Sequence, residues 1–283
     1  MANKQELIID GDFGQYIDVD GVNVHYYEEG FGTPVIFLHG IGQSMYTFRN
    51  NLKDFSACFR VIALDLLGHG DTDGNDSDFL IEDYSDFLLS FMNVMNIEQA
   101  HLFAFSTGAV IAMDFALAYP EKVKKLILIS PGGVTASYPA IIRSASKPIL
   151  QDFTFTFFNR GMLRKTLESA YFDKTMVTED MIENYFELLS DPKNLDTAIH
   201  TVNNWNSTDV YENMNALSQN VYIFWGECDE WHPLEQLEQF EDEIPEAQLY
   251  AATVRNGGHM IHEEKSREIN RKAIELLLTD DIT

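Results

Sequence analysis

A serine at the junction of a strand and a helix is the residue that most clearly indicates chemistry. Ser106 follows the mostly apolar run Ala100–Phe105 and precedes Thr107, where a helical pattern begins. A serine in this position can be a nucleophile held on a sharp turn, which requires small residues two positions before and after it. Gly108 meets this requirement, and Ala104 meets it with one extra methyl group. The alternative interpretation is a serine that caps the N-terminus of the helix.

Four other segments contain residues that could act together with such a serine. A serine hydroxyl is not ionised at neutral pH, so a nucleophilic serine needs a base within hydrogen-bond reach. The base in turn needs a partner that orients it, and histidine and aspartate are the usual residue types for these two roles. The four segments are residues 39–42, 65–71, 226–233 and 256–263. A plain turn is the alternative interpretation of the first of them.

These segments, in this order, resemble the α/β-hydrolase superfamily. The resemblance rests on A-x-S-x-G around Ser106, on H-G-x-G from His39 and on D-x-x-G-x-G from Asp65. It also rests on G-x-x-D-x-x-x-P around Asp229 and on the Gly-His pair at His259. The chain order serine, aspartate, histidine is the order found in this fold. The similarity covers about residues 20–130 and 213–278, and the segment between them is similar only in its position and helical character.

The resemblance implies a catalytic triad and an oxyanion hole. Ser106 would be the nucleophile, His259 the general base and Asp229 the acid that orients the base. The backbone N–H groups of Ile41 and Thr107 would hold the developing oxyanion. This chemistry requires no cofactor.

The remaining histidines of these segments are interpreted as structural. His69 lies in a segment that shapes the fold rather than the chemistry, and His262 begins the helix after the base. A metal site formed by His259, His262 and Glu263 is the alternative, but the sequence offers no further cluster of ligands. We therefore predict no metal site.

A serine nucleophile favours acyl chemistry. Haloalkane dehalogenases and soluble epoxide hydrolases, which are related by fold, use a carboxylate for alkyl displacement instead. The expected function is hydrolysis of a carboxylic ester or lactone through an acyl-enzyme on Ser106. The aromatic residues between 131 and 212 suit a bulky apolar substrate, such as a macrocyclic lactone.

Three other functions remain open at this stage. A carbon–carbon bond hydrolase that acts on vinylogous diketones is compatible with the same layout. A proline-type aminopeptidase would need acidic residues that bind a substrate amine, and Glu179, Asp180 and Glu183 are candidates, although an exposed helix start explains them better. The third function is a ligand-sensing receptor that keeps the triad but has negligible turnover.

The pattern of apolar residues predicts the elements that position these side chains. Residues 16–19 and 22–27 alternate around Asp20 and Gly21, which predicts a β-hairpin. Short apolar runs then alternate with helical patterns, which indicates an α/β fold with a mostly parallel sheet covered on both faces. The predicted strands are 35–38, 61–64, 100–105, 126–129, 221–225 and 248–253, and the predicted helices are 46–57, 81–95, 108–119, one after Pro233, and 263–278. We assign residues 1–130 and 213–283 to an α/β-hydrolase core and residues 131–212 to an inserted helical cap.

Composition limits the partners of the chain. Its 283 residues contain 19 basic and 45 acidic side chains, a formal net charge of −26. Such a charge repels nucleic acids and anionic membranes, so we expect neither as a partner and expect a small-molecule substrate. With no signal-peptide pattern and with Cys58 and Cys228 far apart, we expect a cytoplasmic protein with two reduced thiols. The oligomeric state is not predictable from the sequence.

Overall fold

The computed structural model describes residues 14–132 and 158–279, and these contain a mixed sheet of eight strands. The strands are β1 Gln15–Val19, β2 Val22–Glu29, β3 Pro34–Leu38, β4 Arg60–Leu64, β5 Ala100–Phe105, β6 Val123–Ile129, β7 Asn220–Gly226 and β8 Leu249–Val254. Every strand predicted from an apolar run is present; the bounds of 100–105 are those predicted, and the other bounds differ by at most three residues.

The first two strands form the predicted hairpin. They are antiparallel, and Val19 pairs with Val22 across the turn. Asp20 and Gly21 have φ values of 53° and 87°. Both therefore lie in the left-handed region that a tight two-residue hairpin turn demands, and aspartate and glycine tolerate it better than most residues.

The strand order is β1-β2-β4-β3-β5-β6-β7-β8. The pairs β1–β2 and β2–β4 are antiparallel, and all remaining pairs are parallel. Parallel strands end at the same edge of the sheet, so the loops that follow β3, β4, β5, β6, β7 and β8 gather there. This edge is where the predicted site residues must meet.

Alternate residues of the central strands pack on opposite faces of the sheet. In β3, Val35 and Phe37 belong to one hydrophobic core, and Ile36 and Leu38 belong to the other. All four side chains are fully buried. Burial on both faces explains why these strands are continuously apolar instead of alternating with polar residues.

Helices cover both faces of the sheet. The α-helices are α1 Leu52–Ser56, α2 Ile81–Val94, α3 Thr107–Ala118, α4 Arg160–Ala170, α5 Glu179–Ser190, α6 Pro192–Asn204, α7 Thr208–Glu212, α8 Leu237–Glu243, α9 Ile261–Glu264 and α10 Ser266–Leu278. Short 3₁₀ helices span Met45–Phe48, Pro120–Lys122, Lys174–Met176, Met214–Ala216, Leu234–Gln236 and Glu246–Gln248.

Two predicted helices are wrong in their continuity. The pattern over 46–57 predicts one helix, but the chain forms a 3₁₀ turn and then α1, with a break before Asn51. The amide group of Asn51 donates to the carbonyl of His262 at 3.0 Å and to the side chain of Asn270 at 2.6 Å. Asn51 is buried, and these long-range hydrogen bonds satisfy its amide group. On one continuous helix the same amide would have to be exposed to solvent. The last helix is similarly divided at Lys265 into α9 and α10.

The described residues between β6 and β7 form α4 to α7 and contain no strand, in agreement with the predicted helical character. Whether residues 131–212 act as a cap on a core of 1–130 and 213–283 stays a prediction. Among the aromatic residues noted there, Tyr171, Tyr185 and Tyr211 are buried and Phe172 is exposed. Four others, Tyr138, Phe153, Phe155 and Phe157, lie outside the described residues.

Two further features concern the surroundings of the chain. None of the described helices combines the length and the apolar character needed to cross a membrane. Cys58 and Cys228 are both exposed and unpaired. The prediction of two free thiols is therefore confirmed.

A glycine allows α3 to approach the end of β3 closely. A Cβ atom placed on Gly108 would lie 2.4 Å from the carbonyl oxygen of His39 and 2.5 Å from that of Leu38. Both distances are well inside van der Waals contact, and backbone atoms cannot move aside as a flexible side chain can. The small residue predicted at this position is thus required by the close packing of helix against strand.

We predict that Gly108→Ala lowers the free energy of unfolding by about 2–3 kcal/mol, because the added methyl group overlaps backbone atoms. Urea unfolding followed by circular dichroism measures this. Gly74→Ala is the matched control, since a Cβ there would meet its nearest atom, on Phe79, at 3.7 Å. Equal stability of the two variants would contradict the proposed close approach.

Candidate active site

Ser106 lies on a strained turn between β5 and α3. Its φ of 54° and ψ of −121° are unusual for a residue with a side chain. The backbone is held on both sides: the Ser106 N–H donates to Ile129 at 2.9 Å, and its carbonyl accepts from Ala109 at 3.0 Å and Gly132 at 3.2 Å. These bonds fix the direction of the side chain at the edge of the sheet where the loops gather.

The imidazole of His259 lies between the hydroxyl of Ser106 and the carboxylate of Asp229. Its Nε2 is 3.2 Å from Oγ of Ser106, and its Nδ1 is 2.8 Å from Oδ2 of Asp229. The ring is almost fully buried, and the backbone N–H of His259 donates to Ala170 at 2.7 Å. With the Nδ1 proton directed at the carboxylate, Nε2 is free to accept a proton from the hydroxyl. The three residues predicted from distant segments are therefore brought together.

The turn after β7 supports Asp229 on its other oxygen. Oδ1 accepts hydrogen bonds of 2.8 Å from the backbone N–H groups of Trp231 and His232. Burial by itself would raise the pKa of Asp229, but the charge of His259 and these hydrogen bonds outweigh burial and hold that pKa below its ordinary value. The carboxylate therefore stays ionised beside the imidazole at neutral pH.

The two amides predicted for an oxyanion hole are close to each other, but one of them already has a partner. The N–H of Ile41 donates to Oγ of Thr107 at 2.6 Å. The N–H of Thr107 is the first of α3 and so has no partner within the helix. The sequence pattern predicted a role only for the backbone N–H of Thr107. A hydroxyl directly after the nucleophile was the signal that its side chain could also take part.

Buried polar residues hold the loops that follow β3 and β4. The imidazole of His39 donates from Nδ1 to the carbonyl of Gly40 at 2.8 Å and accepts from the N–H of Leu66 at 3.0 Å. Burial lowers the pKa of His39, which keeps the ring neutral as this bonding pattern requires. Asp65 accepts from the N–H groups of Met45 at 2.7 Å and Asp71 at 3.0 Å. The loop of Ile41 is thus tied to its neighbour.

The histidines interpreted as structural are buried and pack against other rings. His69 packs against His39 with ring centroids 5.4 Å apart, and burial lowers its pKa to about 3. The ring of His262 packs on Phe105 at 4.2 Å, and its Nε2 is 2.8 Å from the hydroxyl of Thr47. Both therefore have packing roles that do not involve Ser106.

Two rings that the sequence analysis missed flank His259. Trp231 is stacked on it, with centroids 5.0 Å apart and an angle of 25° between the planes. His232 is tilted at 59°, with centroids 4.7 Å apart. The signal was available, since the two residues lie two and three positions after Asp229 within the G-x-x-D-x-x-x-P segment. The sequence pattern could not predict that both side chains point towards His259.

Comparison with known proteins establishes the family. A family model described as alpha/beta hydrolase fold matches residues 33–266, which is most of the chain. The chain belongs to the α/β-hydrolase family. The predicted fold is confirmed, with an eight-stranded and mostly parallel sheet. The protein is a hydrolase by this relationship.

One similar curated protein is the 2-hydroxy-6-oxo-6-phenylhexa-2,4-dienoate hydrolase of Comamonas testosteroni. It is 29% identical to this α/β hydrolase over 273 residues, which are 92% of this chain and 93% of the relative.

Two similar solved structures show the same fold. A meta-cleavage product hydrolase from Pseudomonas fluorescens has a TM-score of 0.83 at 22% identity, over 95% of this chain and 98% of that one. A serine hydrolase from a polyaromatic-hydrocarbon-degrading Cycloclasticus has a TM-score of 0.82 at 18% identity, over 95% and 99%. At these identities the likeness concerns the fold alone.

A buried carboxylate in this α/β hydrolase connects α4 and α5 to the sheet edge. Glu263, four residues after His259, forms an ion pair with Arg49. Its oxygens also accept hydrogen bonds from Tyr171 at 2.6 Å, Thr47 at 3.0 Å and Tyr185 at 3.3 Å. Burial by itself would raise the pKa of Glu263, but Arg49 outweighs it and the pKa lies below its ordinary value. The loop of His259 is thereby held by Arg49 and Thr47, which follow β3, and by Tyr171 and Tyr185, which lie at the end of α4 and in α5.

We predict that Glu263→Gln lowers the free energy of unfolding at pH 7 by about 3 kcal/mol, because it leaves the charge of Arg49 buried without a partner. A lowered pKa means that the stabilisation is complete above the ordinary value of 4.5 and is lost as the pH falls through the lower folded value. Urea unfolding at a series of pH values measures both effects.

Glu183→Gln is the control, since Glu183 also pairs with an arginine, Arg160, but both side chains are about half exposed. It should leave the stability and its acid dependence unchanged. Similar losses in the two variants would contradict a special role of the buried pair.

Proposed function

We propose that the protein is a serine hydrolase that cleaves a carboxylic ester or lactone through an acyl-enzyme on Ser106. One observation carries the proposal: Nε2 of His259 lies 3.2 Å from Oγ of Ser106 while Nδ1 lies 2.8 Å from Asp229. This is the geometry in which a serine hydroxyl can be deprotonated as it attacks. Every group that the reaction needs is a side chain or a backbone amide of the chain.

In the first half of the reaction, Oγ of Ser106 attacks the substrate carbonyl and Nε2 of His259 accepts its proton. The ionised Asp229 stabilises the resulting imidazolium through the Nδ1 hydrogen bond. The N–H of Thr107 binds the oxyanion, and the N–H of Ile41 joins it when the Thr107 hydroxyl turns away from that amide. In other enzymes one such donor contributes about 3–4 kcal/mol to the transition state.

In the second half, the proton on His259 moves to the leaving alcohol oxygen as the bond between carbonyl carbon and that oxygen breaks. The acyl group stays on Ser106. A water molecule then gives a proton to His259 while its oxygen attacks the acyl carbon. As the bond between that carbon and Oγ breaks, the proton passes from His259 to Oγ and the acid is released. The enzyme returns to its starting protonation state.

The net charge of the chain and the pairing of Arg49 in its described part favour an ester over an anionic dienoate. A dienoate carries a carboxylate, which needs a cation when it is buried. The side chain of Arg49 is 13% exposed, but its charge is paired with Glu263. The net charge of −26 also opposes the approach of an anion.

Carbon–carbon bond hydrolysis is the second candidate. It is favoured by the similarity, over more than nine-tenths of both chains, to a relative named as a hydrolase of a phenyl-substituted oxohexadienoate. The same serine, histidine and aspartate would serve, with a carbon instead of an oxygen as the leaving atom.

Peptide amine recognition receives less support. Glu179 pairs with Arg164 and Glu183 with Arg160, and both carboxylates are exposed. Asp180 is exposed as well. These groups are at the protein surface, where a carboxylate is well solvated and contributes little to binding a buried amine.

We predict that Ser106→Ala lowers kcat/KM for p-nitrophenyl esters by at least about 10⁴-fold, since the nucleophile is lost. Ser130→Ala is the matched control: Ser130 is a buried serine at the end of the adjacent strand, and its hydroxyl has no partner among the described residues. It should retain wild-type activity. Equal activity of Ser106→Ala and wild type would eliminate the proposed nucleophile.

Ligand-dependent melting shifts of the wild type without any product would favour the ligand-sensing receptor.

A direct comparison of substrates separates the two hydrolase candidates. We expect serine-dependent release of acid from p-nitrophenyl esters and lactones, and an acyl adduct on Ser106 detectable by mass spectrometry of the quenched enzyme. Loss of the ultraviolet chromophore of a 2-hydroxy-6-oxo-dienoate should be much slower. A kcat/KM for the dienoate that exceeds the best ester value would contradict the proposed ester hydrolysis and favour carbon–carbon bond cleavage.

A further inference from the structure

The side chain of His232 is fixed at the active site but has no role in the triad. Its backbone is held at both ends of the residue: the N–H donates to Asp229 at 2.8 Å, and the carbonyl accepts from the indole of Trp225 at 2.9 Å. Pro233 follows, which restricts the chain further. Only 2% of His232 is exposed. The position of its ring is therefore determined by the same turn that supports Asp229.

The ring of His232 reaches the space beside the nucleophile. A Cβ atom placed on Gly132 would lie 2.9 Å from Nε2 of His232 and 3.6 Å from Oγ of Ser106. Gly132 is itself held in place, since its N–H donates to Ser106 at 3.2 Å and its carbonyl accepts from Tyr211 at 2.7 Å. The absence of a side chain at Gly132 lets the imidazole approach Ser106.

Nδ1 of His232 is completely enclosed and has no hydrogen-bond partner in the described part of the chain. Nε2 is the ring nitrogen that faces Gly132, on the side of Ser106. Burial, assisted by the charge of His259, lowers the pKa of His232 to about 3. At neutral pH the ring is therefore uncharged, with one N–H donor and one acceptor. An enclosed ring nitrogen without a partner destabilises the folded protein, so the presence of a histidine instead of an apolar residue at this place requires an explanation.

We propose that His232 is a substrate-binding residue that forms a hydrogen bond with an oxygen of the substrate close to the carbonyl that Ser106 attacks. A carbonyl carbon about to react lies roughly 3 Å from Oγ. A hydroxyl or oxo group one or two carbon atoms away from it then comes within reach of Nε2. A hydroxyl suits a neutral imidazole because it can both donate and accept. The substrate class is thus an oxygen-substituted ester or lactone, and this inference rests on the proposed ester hydrolysis.

The test compares esters that differ only in this oxygen. The p-nitrophenyl esters of 3-hydroxybutanoate and 3-methylbutanoate have nearly the same shape, with a hydroxyl in place of a methyl group. The ratio of their kcat/KM values is the readout, because it cancels any general loss of activity. A second pair carries the oxygen on the alcohol part: the butanoate esters of 2-methoxyethanol and butanol, measured by acid release.

In the wild type we expect the ester with the additional oxygen to be preferred in one of the two pairs, which identifies the part of the substrate that His232 contacts. His232→Phe keeps a ring of similar shape and removes both nitrogens. It should decrease this preference about tenfold, which corresponds to one hydrogen bond, whatever loss of kcat/KM the two esters of a pair share. His232→Gln, which retains a donor and an acceptor, should restore part of the preference. Since His232 is already neutral, the ratio should not change between pH 6 and pH 9.

Two outcomes would overturn the inference. One is equal preference for both members of each pair in the wild type. The other is a proportional loss on both members in His232→Phe, which would mean that the ring only packs against His259. Binding of the same esters to Ser106→Ala, measured by melting shifts, separates this inference from the proposed function. The wild type could fail to turn over any of the esters while Ser106→Ala still binds the oxygen-bearing ester more tightly in a way that depends on His232. That result would support His232 as a binding residue and contradict the proposed hydrolysis.

Discussion

The close contact between the first turn of α3 and the end of β3 is the constraint on which the rest of the site depends. Ser106 must take a left-handed backbone conformation to reverse the chain between strand and helix, which is costly for a residue with a side chain. The parallel sheet on one side and the absence of a Cβ at Gly108 on the other make that turn possible. The same contact brings Thr107 next to Ile41. The close packing of α3 against β3 therefore positions both the Ser106 hydroxyl and the N–H groups of Ile41 and Thr107.

Buried carboxylates fix the surrounding loops. Asp65, Asp229 and Glu263 all keep a pKa below the ordinary value although burial opposes this. Each has partners from separate parts of the chain, so each loses its stabilisation if one loop moves. In a chain with so many acidic residues, most carboxylates remain at the surface and contribute to solubility instead. The position of a carboxylate, and not its frequency, decides its role.

The chemistry of the site and its selectivity come from different residues. A serine, a histidine and an aspartate in the arrangement of Ser106, His259 and Asp229 are compatible with many carbonyl substrates, and a fold does not by itself determine the reaction. In the proposed function, selectivity comes from groups beside them, such as the neutral imidazole of His232. Because this ring is buried and its backbone is held at both ends, we expect it to discriminate between substrates by hydrogen bonding rather than by adapting its shape.

The sequence by itself determined the sheet, the strand-to-helix position of Ser106 and the pairing of an aspartate and a histidine with it. These features follow from local patterns: apolar runs for buried strands, small residues for a tight turn, and loops that parallel strands bring to one edge. The tertiary structure decided the break before Asn51, the partner of the Ile41 amide and the direction of the His232 ring. These depend on side-chain contacts between segments distant in the chain, and no local pattern encodes such contacts.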